Sequence, residues 1–210
     1  MSTKNSGTLF IIAAPSGAGK TSLVKALSKK TNNLSISTSH TTRQPREDER
    51  EGEDYFFIEE KKFTDLIKEN YFLEYAKVFD NYYGTSRSLV ESEIEAGRNV
   101  ILEIDWQGAK QVKSIGLEII SIFILPPNYQ ALRERLLNRK KDNIQTIERR
   151  MSAALEEISH YKEFDFIVIN DDFEQTLTKL NEIIVSPNTN LHRQSNFYDN
   201  FVSQIMAQQD

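Results

Sequence analysis

One octapeptide near the N-terminus constrains the fold of this chain more than any other feature. Residues 14–21 read Ala-Pro-Ser-Gly-Ala-Gly-Lys-Thr, which matches the phosphate-binding pattern GxxxxGK[ST] at every fixed position except the first, where Ala14 replaces glycine. An apolar run at 8–14 precedes the glycines, and a helical pattern at 21–30 follows them. Small residues between a strand and a helix let backbone N–H groups surround a phosphate. The octapeptide therefore predicts an α/β fold that binds a phosphorylated ligand.

Two side chains of this loop carry a specific chemistry. Lys20 is expected to neutralise the β and γ oxygens of a bound ATP, and Thr21 to ligate Mg²⁺ through its hydroxyl. The methyl group of Ala14 fits the loop if φ stays negative there. The alternative is an ordinary glycine-rich turn with a surface lysine. The predicted ATP-binding residues of the loop are Ala14, Pro15, Ser16, Gly17, Ala18, Gly19, Lys20 and Thr21.

Apolar runs alternate with helical patterns along most of the chain, which is typical of a parallel sheet flanked by helices. Four further strands are predicted at 34–39, 100–104, 119–125 and 166–169. Ser88 and Glu91 resemble a capping box of a helix that ends at Gly97. Pro127 suits the first turn of a helix that runs to about Arg139. A further helix is predicted from the periodic apolar residues Ile144, Ile147, Met151, Leu155 and Ile158.

The segment 43–85 breaks this alternation. It is first charged and then rich in Tyr and Phe, as in Tyr71-Phe-Leu-Glu-Tyr75. Alternating aromatic residues favour short strands, so we expect a small, mostly β lobe inserted into the α/β domain.

Composition excludes several classes of function. The chain has 210 residues, no Cys and a net charge of −5. Disulfides and thiolate metal sites are therefore excluded, and no basic excess is present for nucleic-acid binding. The three histidines are far apart, so a metal site built on them is not expected. No apolar run approaches the roughly 20 residues of a membrane span, and the first residues lack a signal core, which predicts a cytoplasmic protein that does not bind membranes.

Seven ordered stretches of the sequence resemble the guanylate kinase family, in its bacterial branch. They lie at 14–21, 39–46, 52–57, 81–85, 104–108, 122–127 and 168–172, and the resemblance extends over roughly Leu9 to Ile184. The resemblance implies a P-loop core at 8–42, 86–130 and 160–187, a GMP-binding lobe at 43–85 and a helical lid at 131–159. An amphipathic helix is predicted at 188–210 from its apolar stripe. This helix either packs on its own domain or contacts a second subunit, so a homo-oligomer is left open.

The resemblance assigns an acceptor site to the lobe. Two arginines three residues apart can grip one phosphate, although surrounding acidic residues equally suit a solvated charged loop. The family match assigns the phosphate of GMP to Arg43, Arg46, Tyr55 and Tyr83. Strand alternation would place Glu74 on one face with Phe72 and Ala76, where a carboxylate needs a partner. The family places its guanine-reading carboxylate at Glu74 and base-edge hydroxyls at Ser39 and Thr85.

The donor site is also assigned by resemblance. Arg135, Arg139 and Arg150 match lid arginines that offset charge on the transferring phosphates. Asn170 matches a position that contacts adenine. Asp105 follows a buried strand and either holds a Mg²⁺-bound water or touches GMP. The family usually reads Asp-Ile-Asp here, whereas this chain has Glu103 at the first position.

The sequence thus predicts transfer of the γ-phosphoryl group of ATP to GMP with Mg²⁺, with dGMP left open as a second acceptor. One alternative is a P-loop kinase of the same fold that acts on a sugar phosphate, which would have no use for Glu74. The other is a non-catalytic guanylate-kinase-like binding module, which would not need an intact phosphate loop.

Overall fold

The computed structural model describes residues 6–78, 80–137, 144–186 and 196–209. Within them the first half of the chain contains β1 (Leu9–Ala13), α1 (Lys20–Lys30), β2 (Leu34–Ile36), β3 (His40–Thr41), β4 (Phe56–Phe57), α2 (Glu60–Lys68), β5 (Phe72–Val78), β6 (Asn81–Ser86) and α3 (Arg87–Glu95). The second half contains β7 (Asn99–Glu103), α4 (Trp106–Ser114), β8 (Ile119–Leu125), α5 (Tyr129–Leu137), α6 (Ile144–Ser159), β9 (Phe166–Ile169), α7 (Phe173–Val185) and α8 (Asn196–Met206). None of these helices is long and apolar enough to cross a membrane.

Five strands form one sheet in the order β2-β7-β1-β8-β9. The pairs β2–β7 and β8–β9 are parallel, with Leu34 opposite Asn99 and Ile122 opposite Phe166. All of β1 and the last five residues of β8 are buried. Continuous apolar runs of this kind are what strands covered on both faces require. The predicted α/β fold and its five core strands are confirmed.

The chain divides into two compact units, and one of them comprises residues 10–32 and 120–210. Its helices pack in the pairs α1–α7, α5–α6 and α6–α8. The predicted apolar stripe of α6 is confirmed for Ile147, Met151, Leu155 and Ile158, all of which are buried.

Helix α8 packs within this same unit. Val202 and Ile205 are buried, and the Tyr198 hydroxyl donates to the Ile167 carbonyl at 3.0 Å. The Tyr161 hydroxyl donates to Asp199 at the helix start. Of the two interpretations of the apolar stripe, packing on its own domain is therefore the one that these contacts support. Residues 187–195, which include the start of the predicted helix, lie outside the described residues.

The other unit comprises residues 1–9 and 33–119, and it contains a four-stranded sheet in the order β4-β3-β6-β5. This sheet fits the predicted β lobe. Helix α2 is an addition that the aromatic alternation did not predict. Its Phe63 stacks on Phe72 with ring centroids 4.4 Å apart, and Leu66 is buried in the same cluster. The lobe therefore has a small apolar core of its own.

Two predicted helix starts are wrong. Helix α3 begins at Arg87 directly after β6, so its N-cap is Ser86 rather than Ser88, and no side chain caps it. Gly97 does follow its end, with φ of 81°. Helix α5 begins at Tyr129 rather than at Pro127. Asn128 caps it, because its Oδ1 accepts from the Ala131 N–H at 2.8 Å.

The predicted face of β5 is also wrong in one position. The register shifts between Phe72 and Glu74, as at a β-bulge. A bulge adds one residue to a strand. The side chains before it therefore point to the opposite face of the sheet from the one that strict alternation predicts. Phe72 consequently packs in the apolar cluster with Phe63, while Glu74 faces Thr85.

His40 lies in an aromatic environment in this lobe. Its ring centroid is 4.8 Å from that of Phe56 and 5.4 Å from that of Tyr71. Its Nδ1 is buried without a hydrogen-bond partner among the described residues. Burial lowers the pKa of His40 below its usual value of 6.5, although the charge of Glu51 opposes this shift. The folded lobe therefore favours the neutral imidazole.

We expect this histidine to make the protein less stable in mild acid. In the unfolded chain the His40 side chain takes up a proton near pH 6.5, whereas in the folded chain it does so only at lower pH. The free energy of unfolding therefore falls as the pH drops below 6.5. One proton contributes at most about 1.4 kcal/mol per pH unit. In urea unfolding between pH 7.5 and 5.5, His40→Phe should lose less stability than the wild type. Equal losses in the two proteins would contradict the assignment.

Candidate active site

The phosphate loop joins β1 to α1, and two glycines give it its shape. Gly17 and Gly19 have φ of 91° and 90°, a region that other residues rarely adopt. A Cβ on Gly17 would also lie 3.1 Å from Leu132 and 3.2 Å from Leu136. Ala14 is not among the described residues with positive φ, so its methyl group fits as predicted.

Lys20 and Thr21 are the first two residues of α1. Backbone N–H groups in the first turn of a helix have no partner within the helix and attract anions. Thr21 is exposed at this helix start. The loop thus has the features that binding a nucleotide phosphate requires.

Asn170 and Arg135 meet beside this loop. The Asn170 side chain is buried and donates from Nδ2 to the Ala18 carbonyl at 2.6 Å. A Cβ at Gly19 would lie only 2.6 Å from the same Nδ2, so glycine permits this contact. Arg135 donates from Nη2 to the Asn170 carbonyl at 3.1 Å, and its Nη1 is buried without a hydrogen-bond partner within the described residues. Asn170 therefore stabilises the loop backbone, a contact that the sequence did not suggest.

The segment predicted as the lid, 131–159, includes most of α5 and all of α6. These two helices pack together, and Arg133 of α5 lies 3.8 Å from Glu148 of α6. Arg150 lies on α6. Arg139 lies outside the described residues.

The four residues predicted to bind the acceptor phosphate lie close together in the lobe. Arg43 and Arg46 both approach Glu49, whose Oε1 lies 2.8 Å from Arg43 Nη2 and 3.6 Å from Arg46 Nη1. The Arg43 guanidinium also lies 5.5 Å from the ring centroid of Tyr55. The rings of Tyr55 and Tyr83 are 5.9 Å apart. The structure thus brings together all four residues that the sequence assigned to the acceptor phosphate.

Tyr55 is protonated at neutral pH. Burial, together with the charges of Glu103 and Tyr83, raises the pKa of Tyr55 to about 12. Its hydroxyl can therefore donate a hydrogen bond to an anion throughout the physiological range.

A second cluster in this unit surrounds Glu74. Its carboxylate is 4% exposed and accepts from the Thr85 hydroxyl at 2.5 Å. The Thr85 hydroxyl lies 3.5 Å from that of Ser39. The three residues that the sequence assigned to the base edge are therefore adjacent, and Glu74 of β5 is the direct register partner of Thr85 of β6.

Asp105 and Gly108 lie beside this cluster, at the start of α4. Asp105 is the N-cap, and its Oδ1 accepts from the Gly108 N–H at 2.8 Å. A Cβ at Gly108 would lie 2.5 Å from Glu74 Oε2. The absence of a side chain at Gly108 therefore allows the Glu74 carboxylate to lie against the helix.

Two residues of the site were missed by sequence reasoning. Glu49 was counted only among the charges around the arginines, although its spacing of three from Arg46 could have indicated an ion pair. Gly108 has no side chain to which a function could be assigned. Its role follows only from the close approach of the Glu74 carboxylate.

Comparisons with known proteins agree with this geometry. The family model described as guanylate kinase matches residues 6–187. The guanylate kinase of Legionella pneumophila (strain Lens) is 44% identical over all of both chains. That of Coxiella burnetii is 52% identical over 86% of this chain and 87% of its own. A solved structure, the guanylate kinase from Anaplasma phagocytophilum, has a TM-score of 0.74 and 30% identity over 96% of each chain.

The contact between Gly108 and Glu74 can be tested by a double-mutant cycle on stability. Gly108→Ala should lower the free energy of unfolding by about 1–3 kcal/mol, because the methyl group overlaps the carboxylate. In a Glu74→Ala background the same change should be neutral or stabilising by up to about 1 kcal/mol, because alanine is the better helix former. Chemical denaturation of the four proteins measures both values. Equal costs in both backgrounds would show that the two residues do not interact.

Proposed function

The chain belongs to the guanylate kinase family, and we propose that its activity is transfer of the γ-phosphoryl group of ATP to GMP, giving ADP and GDP. The observation that carries the proposal is the buried Glu74 carboxylate, which accepts from Thr85 in the same unit as the Arg43–Arg46 pair. A purine edge with hydrogen-bond donors and a phosphate are the two groups that such a site can recognise.

Glu74 would read the guanine base. Guanine presents N1–H and the N2 amino group side by side, and a carboxylate can accept from both in two charge-assisted bonds. The Thr85 hydroxyl fixes Glu74 Oε1, and the Ser39 hydroxyl lies next to it at the base edge. AMP has an unprotonated N1 and no N2 amino group, so its base would offer the carboxylate no donor in place of these two.

Four side chains would bind the phosphate of GMP. Arg43 and Arg46 supply positive charge and forked N–H donors. Tyr55 and Tyr83 supply hydroxyl donors, and the raised pKa of Tyr55 keeps its proton available. Positive charge around an acceptor phosphate also reduces its repulsion of a second phosphate chain.

The phosphate loop at 14–21 would bind ATP through its backbone N–H groups, with Lys20 on the β and γ oxygens. Mg²⁺ fits this loop, because it is usually held by one or two protein oxygens together with substrate phosphates and water. Thr21 carries a hydroxyl of the kind that ligates it, and the described residues contain no cluster of three or more acidic, His or Cys side chains that would form a separate metal cage. The ion would neutralise charge on the phosphates. Asp105 remains assigned to GMP or to a Mg²⁺-bound water, although its Oδ1 already caps α4.

The reaction needs no general base. The phosphate of GMP is already anionic, so positioning and charge neutralisation supply the catalysis. Arg135 and Arg150 would stabilise charge on the transferring group. The Nη1 of Arg135, which has no hydrogen-bond partner among the described residues, is a donor suited to an anion. Arg139 is proposed for the same role from the sequence alone. Asn170 is proposed to contact adenine, in addition to its bond to Ala18.

Two other functions are less well supported. A sugar-phosphate kinase would not need a buried carboxylate held beside two hydroxyls. A binding module without activity would not need the loop that holds Lys20 and Thr21 at a helix start. A cytoplasmic location, the use of dGMP and a homo-oligomer stay predictions, as do the boundaries of the core, the lobe at 43–85 and the lid at 131–159.

The decisive test of this function is the ratio of kcat/KM for GMP to that for AMP. Sites built to hydrogen-bond a substrate group reject an analogue that lacks it by about 10⁴-fold. Glu74→Gln should lower kcat/KM for GMP by at least about tenfold, because a charged acceptor is lost. It should also lower the ratio, since an amide N–H can donate to N1 of AMP. ATP binding should stay near normal.

Glu60→Gln is a suitable control, because this carboxylate is exposed on α2 in the same lobe. It should leave both kcat/KM values unchanged. An unaltered GMP-to-AMP ratio in Glu74→Gln would show that Glu74 does not read the base.

A further inference from the structure

We propose that Glu49 is a positioning residue, which fixes Arg43 and Arg46 in the arrangement that receives the phosphate of the acceptor nucleotide. The inference rests on the proposed function, because it assigns a role within the proposed GMP site. Glu49 itself would not touch the substrate, since it carries the same sign of charge as a phosphate.

A single carboxylate oxygen connects the two arginines. Glu49 Oε1 accepts from Arg43 Nη2 at 2.8 Å and lies 3.6 Å from Arg46 Nη1. The Glu49 side chain is only 12% exposed. Two guanidinium groups repel each other, and an anion between them holds both at a short separation.

The carboxylate is itself fixed by the backbone. Glu49 Oε2 accepts from the Arg46 N–H at 2.8 Å, and the Glu49 N–H donates to the Arg46 carbonyl at 3.1 Å. These bonds close the turn from Arg46 to Glu49 without help from either guanidinium group. Glu49 is therefore a fixed anchor rather than an acidic side chain that merely follows the arginines.

Arg43 is held on its remaining sides as well. Its Nη1 donates to the Gln44 carbonyl at 2.7 Å, and its guanidinium lies 5.5 Å and 5.9 Å from the ring centroids of Tyr55 and Phe57. Burial alone would favour a neutral Arg43, but its hydrogen bond to Glu49 and the charge of Glu49 raise the pKa of Arg43. Burial likewise opposes ionisation of Glu49, and the hydrogen bonds from Arg43 and Arg46 lower the pKa of Glu49. Arg43 and Glu49 are thus stably charged at neutral pH.

Two effects of Glu49 on phosphate binding oppose each other. Its negative charge repels a phosphate, and its bonds remove the conformational freedom of Arg43 before the phosphate arrives. Immobilising a free arginine side chain costs roughly tenfold or more in affinity. The repulsion is weakened because the guanidinium groups already occupy Glu49 Oε1 and compensate its charge. We therefore expect the positioning effect to exceed the repulsion.

The test compares the affinities of GMP and guanosine, which share the base and differ in the phosphate. Glu49→Gln keeps the size of the side chain and removes the charge that holds both arginines. It should weaken GMP binding by about tenfold and change guanosine binding by less than about twofold. Guanosine can be measured by its competition with GMP. Glu53→Gln is the matched control, because Glu53 is an exposed carboxylate on the same loop that pairs only weakly with Arg50 at 3.5 Å.

Each other outcome has a distinct meaning. Equal losses for GMP and guanosine would overturn the inference, because they indicate a general loss of structure in the lobe. Unchanged or tighter GMP binding would also overturn it, because repulsion would then be the larger effect. If the wild-type protein bound neither ligand, the proposed function would fail instead.

Discussion

Burial of one carboxylate is the constraint on which the proposed acceptor site depends. A charged group removed from water is costly unless every oxygen has a partner. The unit that contains Glu74 is arranged accordingly. A bulge in β5 turns Glu74 away from the apolar cluster of Phe72, Thr85 of the neighbouring strand donates to it, and Gly108 leaves space for it at the start of α4. A base with two adjacent donors would complete these interactions, whereas a base without them would leave the charge poorly compensated.

The positively charged arginines also need a group that compensates their charge. Arg43 and Arg46 would repel each other, and Glu49 compensates their charge while leaving donors for a dianion. In the other unit the phosphate loop uses neutral groups for a similar purpose, since its two glycines with positive φ and the start of α1 present backbone N–H groups. Asn170 stabilises that loop through the Ala18 carbonyl. At both proposed sites, recognition of anions would therefore rest on groups that contacts within the protein hold in place.

Much of this organisation could be predicted from the sequence. Four of the five core strands follow from largely apolar runs, and the phosphate loop from its glycines and its position between strand and helix. The family resemblance assigned Glu74, Thr85 and Ser39 to one site, and the structure places them together. The errors occurred where backbone geometry decides. Alternation could not reveal the bulge after Phe72. The N-cap predicted at Ser88 is at Ser86, and the helix whose first turn was predicted at Pro127 is capped by Asn128, because the preceding strand and turn end elsewhere. Glu49 and Gly108 were missed because their parts depend on contacts with other residues rather than on their own chemistry.

The most direct test of the central claim is the rate of ADP release by the wild-type protein with ATP and Mg²⁺ when GMP, AMP, UMP or dTMP is the acceptor. A site built around the Glu74 carboxylate predicts rapid ADP release with GMP and kcat/KM lower by about 10⁴-fold with AMP. UMP and dTMP lack the N2 amino group, so they should also be poor acceptors. Comparable kcat/KM for AMP or a pyrimidine nucleotide, or ADP release that does not depend on GMP, would contradict the account.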